Sequence, residues 1–319
     1  MKKLYFFIIC IFAVTLISCG SGKNQKTNTD ATGAEVQSAD GENGISRSAD
    51  GKYDLFYNLE VGKTYTQTIA ANVDIAQNIM GQSMDMETTM DMTFSFVVTD
   101  IADGLIKTEA SYKSVAMSMS TPMGSFSFSS EESDPSSPLA FMSDLFRSMA
   151  GSTFTMSMTK YGEVVEVAGL EEMIDKAIGS LDLPASAIAE AKASMKQEFN
   201  EEKFLDQMRN NVVFPDHPVA IGDSWNTSAS MDQMDLENTY TLKEVTDTEV
   251  IIDVKSKIKN MKMDGASGSL SGEQAGTTTL HRSSGWVKHA NMKQNISGTV
   301  TMQGMESKVK MTSDITMSE

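Results

Sequence analysis

Thiols are nearly missing from this chain. Cys10 and Cys19 are its only cysteines, so beyond residue 19 there is no disulfide, no thiolate metal set and no cysteine nucleophile. Stability there has to come from packing. Histidine is almost as scarce: His217 falls in the Pro-bounded turn "FPDHPVAIG", His281 in an expected strand and His289 after Trp286. None has a Ser, Cys or carboxylate partner at a recognisable catalytic spacing. G-x-S-x-G, H-E-x-x-H, a phosphate-binding loop and a dinucleotide fingerprint are absent, and "DGENG" and "DPSSP" lack the ligand spacing of a calcium loop. The expectation is a protein that is not an enzyme and uses no metal or cofactor. Basic charge is also short, 26 Lys and Arg against 43 Asp and Glu for a formal −17. Such a chain repels phosphate backbones, which argues against nucleic acid as a partner.

What is present begins with "MKKLYFFIICIFAVTLISCGSG". Lys2 and Lys3 precede an apolar run that is shorter than the roughly 20 residues a bilayer span needs, the pattern of a signal peptide over 1–18. Its ending, "LISC", resembles the bacterial lipobox, with Leu16 three residues before Cys19 and Ser18 just before it. That resemblance implies cleavage before Cys19 and lipidation of its thiol, with several acyl chains holding the protein on a membrane at about 0.8 kcal/mol per buried CH₂. Gly20 stands where the inner-membrane retention signal has Asp, and no acidic run follows. The resemblance therefore points to the periplasmic face of the outer membrane, with the cell surface as the alternative. Residues 19–52 hold almost nothing apolar and read as a lipidated, disordered tether of roughly 30 Å.

From Tyr53 the hydrophobicity has period two, as in "YTQTIAANVDI", "MDMTFSFVVTDI", "EVIIDVKSKIKNMKM" and "ESKVKMTSDITMS". These are antiparallel strands with one covered and one wet face. Helices are expected at 138–150, where Ser137 caps and Gly151 ends the pattern, at 170–181, and at 184–210 with a bend near Glu201. "LEVGKTYTQT" at 59–68 matches "VAIGDSWNTS" at 219–228, and "STFTMSMTKYGEVVEVAG" at 152–169 matches "GTTTLHRSSGWVKHANMK" at 276–293, although the intervals between them are unequal. The predicted fold class is mainly β (α+β), a large curved antiparallel sheet or half-barrel. It forms one sheet or two duplicated β-halves, 53–169 and 212–319, with helices covering the sheet and a helical insert at 170–211 between the halves.

The unusual feature is methionine. In "QSMDMETTMDMTFSFVV" Met84, Met86, Met90, Met92, Phe94 and Phe96 share one strand face, and Met117, Met119, Met156 and Met158 repeat the spacing on other strands. Three readings compete. A core would explain the face, yet strands prefer Val, Ile and aromatics, and fixing Met costs about 1.5–2 kcal/mol of side-chain entropy. An apolar surface that adapts its shape to a ligand favours Met. Thioether pairs also suit Cu(I), though without a histidine tract. The broad pattern of lipobox, polar tether, antiparallel strands with an apolar concave face and helices over it resembles the LolA/LolB type of periplasmic lipoprotein, and uncharacterised lipoproteins of Bacteroidota. The resemblance implies a half-barrel that holds acyl chains, and the methionine spacing puts a hydrophobic small molecule or lipid on those ten residues. The alternative is a purely structural envelope lipoprotein.

Overall fold

The computed structural model describes residues 44–79, 82–122, 124–132, 134, 137, 139–198, 200–209, 214–231, 234–263, 265–302 and 304–319. The signal segment, Cys19 and the tether up to residue 43 lie outside them.

Alternation becomes a single antiparallel sheet of twelve strands: β1 (Thr64–Ile79), β2 (Gln82–Ala102), β3 (Leu105–Thr121), β4 (Gly124–Ser129), β5 (Phe154–Thr159), β6 (Val164–Ala168), β7 (Ser224–Met231), β8 (Met234–Val245), β9 (Glu249–Met261), β10 (Ala266–His281), β11 (Val287–Met302) and β12 (Met305–Ser318). Its order is β6-β5-β3-β2-β1-β12-β11-β10-β9-β8-β7, with β4 also on β3. The outermost strands β6 and β7 do not pair, so the sheet is large, curved and open. Along β1, Tyr65, Ala71 and Val73 face inward while Asn72 and Asp74 face water, and the inner-face residues of both halves join one apolar cluster.

Curvature has a local cause. Gly268, Gly272 and Gly276 recur every fourth residue of β10, where β11 crosses so closely that a Cβ on Gly272 would lie 2.0 Å from the Asn295 carbonyl and one on Gly276 1.9 Å from that of Asn291. Only glycine admits this approach, and it lets the sheet coil at that point.

The expected helices form as α1 (Ala140–Met149), α2 (Leu170–Gly179), α3 (Ala185–Glu198) and α4 (Glu201–Arg209). Ser137 Oγ accepts the Leu139 N–H, just ahead of α1. The predicted bend near Glu201 is a break at Asn200, whose Oδ1 accepts the Lys203 N–H at 2.8 Å and so caps α4. The helices cover the inner face of the first half. Phe146 stacks on Phe128 at 5.5 Å, and Phe204 meets Phe154 edge-on at 5.6 Å.

Both β-halves are wound alike. Gly62 donates its N–H to Val98 O ahead of β1, and Gly222 donates to Leu242 O ahead of β7. Gly162 and Gly285 close the turns after β5 and β10. The intervals differ because β4 and α1 are inserted between β3 and β5, whereas β9 leads directly to β10.

All these turns gather at one end of the sheet, the base. Residues 44–59 run across it: Tyr53 pairs with Val219, and the N–H groups of Tyr57 and Asn58 reach the carbonyls of Lys160 and Ser284. Residues 44–52, assigned to the tether by composition, also lie here. Ile45 is 2% exposed and donates its N–H to Arg282 O. One buried isoleucine and the apolar Tyr53 are enough to dock an otherwise polar segment.

Candidate functional site

Met84, Met86, Met90 and Met92 do share the inner face of β2, and burial grades along it. Met90 is 2% and Met92 5% exposed, while Met84 and Met86, nearer the end opposite the base, are half-buried. At that far end Met261, Met263 and Met302 are also half-buried, and Met305 is 39% exposed. Met117 pairs with Met90 and Met119 with Thr88, so these two join the same patch.

Met156 and Met158 do not. They pair with Thr108 and Ile106 on β3, toward the base, so Met158 sits eleven residues from the level of Met117, or roughly 35 Å along a strand. Phe94 and Phe96 continue the inner face of β2 past Met92, half-buried and packed against the same apolar cluster. A bulge on β3 gives Lys113 no partner opposite Thr93 and Phe94 and switches the buried side of β3 from even to odd residues. Below it the rings form a continuous series: Phe214, Tyr57, Trp286, Phe96, Phe94, Tyr112, Phe154, with neighbouring centroids 4.9–6.4 Å apart. Trp286 Nε1 donates to Thr66 O at 3.1 Å. Burial among these rings pushes the Tyr112 phenol up to about 12.

Between the buried methionines and the far end lies a feature the sequence did not disclose. Following the pairing from strand to strand, Thr227 stands opposite Asn238, then Ser256, Gln274, Gln294, Ser313, Val73 and Thr88. Seven of these eight inward positions are polar, and none is charged. Apolar rows bound it on both sides. Tyr240, Val254, Met292 and Met90 lie toward the base, and Leu236, Ile258, Ile296 and Met311 toward the far end. Part of the row is bonded: Gln294 Nε2 donates to Gln274 Oε1 at 3.4 Å, Ser313 Oγ to Gln294 Oε1 at 3.4 Å, and Asn238 Nδ2 to Thr227 Oγ1 at 3.3 Å. Thr88 Oγ1 and Asn238 Oδ1, in side chains 4% and 2% exposed, have no hydrogen-bond partner among the described residues. Each such buried group costs about 1–3 kcal/mol. The only sequence signal was a polar residue at an in-phase position, as in Leu236-x-Asn238-x-Tyr240.

Other polar features lie elsewhere. His217 meets Asp216, His281 meets Glu319 at the base, and His289 accepts from Asn291. Among the described residues no three His, Cys, Asp or Glu side chains gather as a metal set, and no helix is long and apolar enough to cross a membrane. A surface groove of about 400 Å³ between α1 and the end of α2 is lined by Phe141, Arg147, Leu181 and Leu183. It contains none of the ten predicted residues, and Arg147 is held there by Asp144 and Ser130 O.

No curated relative matches the sequence. Among solved structures, one of lipid–protein interactions in lipovitellin overlaps 81% of this chain and 25% of its own, at 10% identity and a TM-score of 0.46. The chain thus spans about a quarter of that protein. An outer membrane channel from Pseudomonas putida F1 overlaps 82% of this chain and 97% of its own, at 8% identity and a TM-score of 0.24. Overlaps at this level are runs of antiparallel strand laid side by side, and they say nothing of what this chain binds. A family profile matches residues 103–287, from the β2–β3 turn to the start of β11 and more than half of the sequence. The chain belongs to that family, the family of unknown function DUF6263.

Proposed function

We propose that this protein is a lipid-anchored component of the bacterial cell envelope that binds a hydrophobic molecule in the interior of its curved sheet, through the methionine-lined far end. The observation that carries the reading is the gradient of methionine burial. Enclosed residues such as Met90 lead to half-buried Met84, Met86, Met261 and Met302 and to the exposed Met305, all at the end opposite the base that residues 44–59 cover. Half-buried unbranched thioethers change shape cheaply, which suits acyl chains or other apolar ligands. Aliphatic strand formers would suit a rim that never moves. The "LISC" ending at Cys19 supports the anchor and an outer-membrane address, facing the periplasm or the cell surface. Binding rather than catalysis is the role proposed.

Close burial of Met90, Met92 and Met117 favours a second reading, a structural lipoprotein whose methionines are core. A fluorescent apolar probe separates the two. The binding reading expects saturable uptake, weakened at least tenfold by Met86→Glu with the fold intact, because a carboxylate then sits among the half-buried methionines. A structural core takes up no probe.

A further inference from the structure

We propose that the polar row from Asn238 to Thr88 selects the ligand, and that the molecule bound is an uncharged lipid carrying ester, amide or hydroxyl groups partway along its length. This rests on the reading of the interior as a hydrophobic binding site and names the ligand class for it.

The interior is layered. A polar row one residue deep crosses eight strands between two apolar rows, so a molecule lying along the strands meets apolar, polar and apolar surroundings in turn. Its groups are all amides and hydroxyls. A carboxylate or phosphate brought to this depth would find no Lys or Arg in the row to compensate it, and burying an unpaired charge is prohibitive. Carbonyl and hydroxyl groups, in contrast, match what the row offers. Thr88 Oγ1 and Asn238 Oδ1 are inward, more than nine-tenths buried and unbonded among the described residues, so one is a hydroxyl free to donate or accept and the other an amide oxygen free to accept. Gln274 and Gln294 have side-chain amides bonded to each other at only 3.4 Å.

The test uses the full chain with Cys19→Ala to keep it free of its own lipid, and three probes of matched chain length: a diacylglycerol, a free fatty acid and a linear hydrocarbon. Dissociation constants are measured for this protein, for Thr88→Val and for Gln294→Leu. Thr88→Val is isosteric and removes an unbonded hydroxyl, so it folds even if Gln294→Leu does not. The proposal expects the diacylglycerol to bind at least tenfold more tightly than the hydrocarbon or the ionised acid, and each variant to lose that preference through weaker diacylglycerol binding, with the hydrocarbon bound no more weakly than before. Equal binding of all three probes, or a preference unchanged in Thr88→Val, overturns the polar row as selector and leaves hydrophobic binding standing. Preference for the fatty acid overturns the uncharged class. Failure to bind any probe overturns both this inference and the binding reading beneath it.

Discussion

The guanidinium of Arg282 donates from Nε to the carbonyl of Ile45 at 2.9 Å, across 237 residues of sequence, and from Nη1 to Thr246 O at 3.0 Å. One side chain thereby ties the docked N-terminal segment to two turns of the second half. Hydrogen bonds from a charged donor contribute about 1.5–3 kcal/mol. Arg282→Ala is expected to lower stability by about that amount and to release residues 44–52 first. Hydrogen exchange checks it: the Ile45 amide, bonded to Arg282 O, should lose protection well before the amides of β10 and β11.

The glycines of the two equivalent turns and those of β10 should respond differently to alanine. Gly62 and Gly222 have φ of +83° and +95° with open space where a Cβ would go. Gly62→Ala and Gly222→Ala are each expected to cost about 1–2 kcal/mol from backbone strain alone. At Gly272 a Cβ would collide with the β11 backbone, so Gly272→Ala should cost several kcal/mol or prevent folding. Urea unfolding midpoints of the three variants give the comparison directly.

Tyr112 predicts an alkaline limb in the stability profile. Burial raises its folded-state value to about 12 from the ordinary 10.0, so between those values the unfolded chain has lost a proton that the folded chain retains. Stability from this group is therefore complete below about pH 10 and falls as pH rises through about 12. Tyr112→Phe should flatten the profile in that window. Thermal melts of both proteins from pH 9 to 12 measure it.

Much of the fold was legible because it is written locally. Period-two alternation placed the strands, the spacing around Leu170 and Ile174 placed α2, and the break near Glu201 showed as a shift of the apolar face at Phe204. The matching turns at Gly62 and Gly222 were visible too, and the unequal spacing of the matched segments was explained only once β4 and α1 were seen between β3 and β5. What stayed hidden depends on register between strands distant in sequence. Met117 and Met158 have the same local spacing, yet β3 separates them along its length because Met158 pairs at Ile106. A single bulge at Lys113 switches the buried side of β3 from even to odd residues, which nothing in its local spacing announced. The row of Asn238, Gln274, Gln294 and Thr88 could not be read at all from one strand at a time, since each member looks like an isolated polar residue until pairing aligns them. Residues 44–52 looked like tether because a single docked isoleucine barely changes their composition.

The most direct measurement for the account is native mass spectrometry of the Cys19→Ala protein, purified without detergent and released intact from the spray. Lipid binding in the sheet interior predicts a population heavier than the bare chain by the mass of an uncharged lipid, with Met86→Glu reducing that population while the circular dichroism spectrum is unchanged. A bare chain at every stage, together with unfolding by Met86→Glu, would contradict it and leave the methionines as core.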